Sequence, residues 1–513
     1  MSLSRDSIKW AIANVTAHSD GDLFPRVTEI EAISDLADDF VNLIEGKPLT
    51  EFTPGAHRRF IVPKDEVSYR QATQLDPQDN IILSSVLHQY GEGIENRRGP
   101  PSKIFSYRFH PTEQHGLYDR HSSWNEFWNT AAERGLESGS ILYCDISDFY
   151  NQIYHHTLEN QLIASGFPNQ VTKWIITLME STTAGVSRGV PIGPHAAHLL
   201  AEASLIPVDN SMSSVGMNFI RYADDIIIFD DNLSDSKRSL GRLATILDKQ
   251  QRLTLQKHKT RFFHSSDFSR YCAGMIEDRP INSEEAQILH IVRRYSGGDP
   301  YRTVSYDEIR PEDWTAFSEG MLKSVIEDYI ATAETDFIRL RWFYRRLAQI
   351  GHPGAIRVSL DNIERLTPCF ASICSYLASV QNISQNDWLG IGAKFIELLE
   401  TESIAESEYF RLSILSLFSR NSSINHFSEL AKRYAGSDPF AKREILLAAK
   451  TSNATDWLRE FKEDFEGMDA WQKRAYLYCT QLFPADERKY FINRWTFSRP
   501  FDAIVAKWAK RGG

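Results

Sequence analysis

Three carboxylates in this chain stand where phosphoryl-transfer chemistry could use them. Asp145 ends a short apolar run, ILYCD, and Asp224–Asp225 lie between two further apolar runs in NFIRYADDIIIFDD. An enzyme that joins nucleotides needs carboxylates converging on two Mg²⁺ ions about 3.5–4 Å apart. One ion activates the attacking 3′-hydroxyl, and the other holds the triphosphate and neutralises the departing pyrophosphate. Mg²⁺ prefers oxygen donors, so aspartate suits this work where cysteine or histidine would not. Taken singly, DISD and ADD read equally well as solvated acidic turns. Only elements that bring them together make a site.

Those elements are legible in outline. ILYCD reads as a strand, and NFIRYADDIIIFDD reads as a β-hairpin with the acidic pair at its tip. Helical sequence follows ILYCDISDFY and runs through about Ser181. The Gly/Pro turn SRGVPIGPH then opens the apolar helix AAHLLAEASLIPVDNSM. A helix, SDSKRSLGRLATILDKQQR, and a strand-like piece, LTLQKHKTRFF, close this region. Upstream, residues 1–55 read as a helical segment. Residues 56–140 begin extended in FIVPK, pass through the amphipathic stretch DNIILSSVLHQYGEGIE, and become rich in Gly, Pro, His and Trp. From about Glu312 onward the pattern is one helix after another with short polar connections, similar to a HEAT-like stack. The expected divisions are 1–55, 56–140, 141–285 and 286–513, with a linker at about 280–312.

Composition sets limits. The 513 residues include 57 basic and 68 acidic side chains, a net charge of -11, with 42% hydrophobic residues, as in globular proteins. Residues 1–300 carry 29 basic and 39 acidic groups, and residues 301–513 carry 28 and 29, so neither half advertises the broad basic face of a protein that grips long duplexes. Five scattered cysteines with no Cys-x-x-Cys pair argue against a disulfide framework or structural zinc, and fit reduced thiols in a cytoplasm. No apolar run approaches the ~20 residues that cross a bilayer, and the start lacks a signal-peptide core. The expectation is a cytoplasmic protein without membrane association.

The motifs taken together resemble those of reverse transcriptases. Tyr222-Ala223-Asp224-Asp225 followed by IIIF resembles the YxDD box, and DISDFY the first metal-binding motif. GVPIGPHAAHLLAE resembles the motif that supports the nascent base pair, and LTLQKHKTRFF the lysine-bearing motif downstream. The resemblance implies an α+β palm with fingers, and gives the residues roles. Asp145 and Asp224 would be the main ligands of two Mg²⁺ ions, with Mn²⁺ able to substitute. Asp225 would assist, and the Ile146 carbonyl could add a further ligand. Tyr150 falls at the steric-gate position, where an aromatic wall would clash with a ribose 2′-hydroxyl. Gly189, Pro191 and Gly193 would let the backbone pass close to the incoming nucleotide. Lys259 would protonate pyrophosphate, and Lys64 and Arg70, in PKDEVSYRQATQL, would contact the triphosphate. Arg188 stands where glutamine is common and Ala197 where serine is common, which leaves the role of Arg188 open.

After residue 261 there is no primer-grip motif and no basic helical thumb, but an all-helical half instead. Palm and fingers joined to such a half resemble the abortive-infection (Abi) phage-defence reverse transcriptases of bacteria. The motif-level match spans roughly residues 55–275. This resemblance implies DNA synthesis from deoxynucleoside triphosphates without a template, primed by a hydroxyl of the protein. It also implies a single-stranded DNA product joined to the chain, and homo-oligomers. A templated, retron-like reverse transcriptase and a non-catalytic nucleotide-sensing scaffold are the competing readings. Residues 1–68 contain no tyrosine. Tyr329, Tyr344 and Tyr409 in the helical half read better as core packing than as primers. The arginines of RLRWFYRRLAQI read as the wet side of a helix, and His155, His156, His195 and His198 as structural.

Overall fold

The computed structural model describes residues 2–18, 23–113, 115–119, 123–276, 280–297 and 304–512. The expected linker at about 280–312 lies partly outside them.

The acidic motifs sit on a four-stranded antiparallel sheet in the order β4-β5-β3-β6: β3 is Ser140–Asp145, β4 Phe219–Tyr222, β5 Asp225–Asp230 and β6 Arg261–Phe263. The runs ILYC and IIIF are continuously apolar because both faces of the sheet are covered. Ile141, Tyr143, Ile227 and Phe229 face a small core with Phe127, Trp128 and Phe268, from helices Trp124–Leu136 and Ser265–Met275. The alternate residues Leu142, Cys144, Ile226 and Ile228 belong to the main core, together with Leu200 and Leu205 of helix Ala197–Ser214 and Leu243 and Leu247 of helix Leu233–Gln251. The strand period of two thus divides one apolar run between two cores.

A separate hairpin, β1 (Arg58–Pro63) with β2 (Tyr69–Gln74), pairs antiparallel with Pro63 opposite Tyr69. Two sequence expectations change here. The stretch DNIILSSVLHQY, expected to be amphipathic, belongs to helix Pro77–Tyr90, whose residues from Pro77 to Leu87 are all buried. Elements distant in sequence cover its polar side: Asp79 bonds the Gly55 amide, and the Arg499 guanidinium lies against Asp76 and Asp79. The strand expected in LTLQKHKTRFF is confined to β6, because Lys257–Lys259 forms a 3₁₀ turn.

Beyond residue 304 the described chain is helical. Helices Phe337–Ile350, Phe370–Ser379, Glu408–Arg420, Pro439–Thr451, Ala470–Cys479 and Pro500–Arg511 pack in a row, each against the next. Tyr329, Tyr344 and Tyr409 are buried in it. The row folds back on the start of the chain. Its side chains continue the core that begins at Leu3, and Tyr478 and Trp508 bond Glu31 and Asp35. Buried Arg474 pairs with Asp76 at 2.7 Å, and the Trp471 indole donates to the Ala56 carbonyl while the guanidinium groups of Arg58 and Arg474 lie over its ring. Among the described residues no helix is long and apolar enough to cross a membrane.

Candidate active site

Strand register brings the three aspartates together. In the antiparallel pairing of β3 with β5, Asp145 lies directly opposite Asp225, a relation that sets Cβ atoms about 4.5–5.5 Å apart. Tyr222 pairs with Asp225 across the β4–β5 hairpin, leaving Ala223 and Asp224 as its tip. The Ile146 amide donates to the Asp224 carbonyl at 3.0 Å, which ties the end of β3 to that tip.

The tip is held from beneath. Ala223 has φ +50°, a conformation that costs a residue with a Cβ and persists only where its surroundings enforce it. Arg221, wholly buried, donates to the Ala223 carbonyl at 2.9 Å and pairs with Asp209 and Glu202 on helix Ala197–Ser214. Arg98 joins the same network through Glu202. Sequence reasoning passed over Arg221. The available signal was an arginine inside an apolar strand three residues before the acidic pair, which must find buried carboxylates.

The segment after the 233–251 helix completes the group. Ser147 donates to the Thr254 carbonyl, and Gln256 donates to the Asp145 carbonyl at 2.7 Å. This places the 3₁₀ turn so that Lys259 Nζ reaches Asp145 Oδ2 at 2.5 Å, while the Tyr143 hydroxyl donates to Asp225 Oδ1 at 2.5 Å. Burial, then the neighbouring Asp145 carboxylate, pushes Asp224 up to about 6. Burial, then Asp224, pushes Asp225 up to about 7. Burial alone would lower the Lys259 ammonium, but its bond to Asp145 holds it above the ordinary lysine value.

The donor set suits a hard divalent cation, since all three groups offer oxygen and repel one another without one. Among the described residues, no three acidic, imidazole or thiol groups are drawn tightly enough to enclose an ion. Asp145 and Asp225 are turned instead onto Lys259 and Tyr143. A bound cation would therefore displace these internal partners and expel protons. Divalent-cation affinity and turnover are expected to fall as pH drops through about 7 to 6, where Asp225 and Asp224 become protonated. Titrating Mg²⁺ or Mn²⁺ by thermal shift between pH 5.5 and 8.5 checks this; a flat profile would contradict it.

The carboxylates open onto a cleft of about 720 Å³ whose lining includes Lys64, Tyr69, Arg70, Tyr107, Tyr150, Ile192 and His198. Of the residues singled out by sequence, Asp145, Ile146, Asp224, Asp225, Lys259, Lys64, Arg70 and Tyr150 all line it. Arg188, Gly189, Pro191 and Gly193 do not. Arg188 is exposed and donates to Gln152 Oε1. Gly189 donates to the Ile153 carbonyl, and its own carbonyl bonds the His155 ring. Pro191 is buried. At Gly193, with φ +137°, a Cβ would come within 2.5 Å of the Thr73 carbonyl, so the space freed there admits β2. The neighbouring Ile192 carbonyl accepts from the Thr73 amide at 2.7 Å, and it is Ile192 that reaches the cleft.

His198, read from sequence as structural, stands inside the cleft. Its Nδ1 and the Tyr150 hydroxyl are hydrogen-bonded at 2.6 Å, and Tyr107 stacks on its other side at 4.1 Å between nearly parallel rings. Burial lowers its pKa to about 4, which keeps the imidazole neutral near pH 7. A histidine in the first turn of an apolar helix gave no sequence sign of this partnership.

A search of curated proteins finds no match. Among solved structures, that of apo telomerase from Candida tropicalis is similar at a TM-score of 0.34 and 9% identity, covering 75% of this chain and 74% of that one. Residues 101–291 match the family described as reverse transcriptase (RNA-dependent DNA polymerase). That span holds all three aspartates, Tyr150 and Lys259, and the chain accordingly carries a nucleotidyltransferase domain of the reverse-transcriptase type.

Proposed function

We propose that this protein is an antiphage DNA polymerase that adds deoxynucleotides without a template, starting from one of its own hydroxyl groups. The observation that carries the catalytic part is the cross-strand register of Asp145 with Asp225, with Asp224 at the adjoining tip. These carboxylates and the Ile146 carbonyl would hold two Mg²⁺ ions. Bound there, the ions would supply an activated hydroxyl nucleophile and charge neutralisation for the leaving pyrophosphate. Lys64 and Arg70 would bind the triphosphate, and Tyr150 would read the sugar. Lys259 would leave Asp145 and give a proton to pyrophosphate. Gly189, Pro191 and Gly193 would shape the wall through Ile192, and Arg188 would act from outside the cleft.

The defence role and the self-primed mode rest on the architecture. A HEAT-like helical half follows the reverse-transcriptase domain where a basic thumb would otherwise hold template and primer. That half is nearly neutral in charge, which suits a single-stranded product better than a long duplex. Assembly into homo-oligomers belongs to the same reading. The test is incubation of purified protein with Mg²⁺ and deoxynucleotides alone, followed by denaturing gels before and after protease. A DNA ladder that stays with the protein until digestion is the expected result. A product that forms only with added RNA template, and migrates free of protein, overturns it. The family's description as RNA-dependent favours that templated alternative.

A further inference from the structure

The helix Phe337–Ile350 was expected to turn its arginines toward water, and two of them do otherwise. Arg339 lies over the Tyr329 ring beside buried Glu285. Arg341 reaches out of the helical half to the tip of the β1–β2 hairpin. Its guanidinium donates to the Pro63 carbonyl at 3.2 Å and the Lys64 carbonyl at 3.0 Å, and is steadied by the Pro368 carbonyl. These are the residues at which the hairpin turns, and one of them lines the cleft through its side chain. The helical half therefore holds the backbone on which Lys64 stands.

Burial first, and then the charge of Arg341, depress the Arg70 pKa. Arg70 lines the cleft, and its Nε is buried with no hydrogen-bond partner. Lys64 and Arg70 thus bring two cationic groups to the lining of the cleft, and Arg341 holds the hairpin turn that carries the first of them.

We propose that the helical half completes the triphosphate site: Arg341 fixes the hairpin that presents Lys64, beside Arg70, to the polyphosphate. The inference rests on the reading that Lys64 and Arg70 face the nucleotide. Arg341 is a positioning residue acting through Lys64. The arrangement makes the helical half part of substrate binding, and the ligand class is a linear polyphosphate, free or carried on a nucleoside.

The test uses the 513-residue chain and the variants Arg341→Ala, Arg341→Lys and Arg70→Ala. Inorganic tripolyphosphate without metal is the binding probe in a thermal-shift titration, and KM and kcat for deoxynucleotides are measured in parallel. Arg341→Ala is expected to weaken tripolyphosphate binding and raise KM about tenfold, the size of one displaced charge-assisted contact, with the change carried by KM. Arg341→Lys should recover part of the loss because one ammonium can still reach a carbonyl. If Arg70→Ala raises KM while Arg341→Ala leaves both readouts at wild-type values, the inference falls and the nucleotide reading stands. If Arg70→Ala also changes neither readout, the underlying reading falls with it.

Discussion

Replacing Asp224 by Asn is expected to lower the rate of nucleotide addition by about 10³-fold or more while leaving the fold intact. The change removes one anionic oxygen from a group that must hold divalent cations, an interaction worth several kcal/mol in the transition state. Its effect on stability should have the opposite sign. Asp224 lies half-buried beside Asp145, and desolvation with that neighbour pushes its carboxyl up to about 6, well above the ordinary carboxylate. A carboxylate whose pKa is raised on folding destabilises the native state at pH values above its unfolded pKa. The full penalty is present once pH exceeds the folded pKa. Asparagine carries no such charge, so without metal the variant should melt at or above the wild-type temperature at pH 8. The two should converge as pH falls below about 4. Thermal melts across pH, with single-turnover assays at pH 8, measure both effects. An inactive variant that also melts lower would assign Asp224 to structure.

The second large effect is on sugar selection. Tyr150→Ala should raise the use of ribonucleotides relative to deoxynucleotides by about 10²-fold, since a void replaces the ring proposed to meet the 2′-hydroxyl. The ring is not free to swing aside. Its hydroxyl is bonded to His198, and His198 is stacked on Tyr107. Tyr150→Phe keeps the ring but leaves the buried His198 Nδ1 without its partner, at a cost of about 1–3 kcal/mol. That variant should therefore retain most discrimination while losing stability. Comparing kcat/KM for paired ribo- and deoxynucleotides separates the two. Unchanged selectivity in Tyr150→Ala would return Tyr150 to ordinary packing.

The sequence by itself determined the sheet strands that carry the carboxylates, a hairpin turning at the acidic pair and the change to helices in the second half, while strand register set the tip at Ala223–Asp224 and left Asp225 on β5. In each case the signal is local. Apolar runs of strand length broken by an acidic pair, or helical periodicity without strand alternation, follow from the backbone geometry of a few adjacent residues. The same is true of most cleft residues, because the motifs that carry them are short and each sits on one element. Local patterns carry no information about what approaches from elsewhere in the chain. Gly193 shows this: its missing Cβ makes room for Thr73, a residue 120 positions earlier. Likewise, polar Asp76 and Asp79 can be buried on the Pro77–Tyr90 helix and at its cap only because Arg474 and Arg499 return from the far end. Arg221, His198 and Arg341 each look ordinary in their own segments. Only tertiary structure decided that one props the acidic turn, one holds the Tyr150 hydroxyl, and one reaches across from the helical half to the hairpin bearing Lys64. The reason is physical: a buried charge or hydrogen-bond donor takes whichever partner packing brings to it, and packing is settled by the whole chain at once.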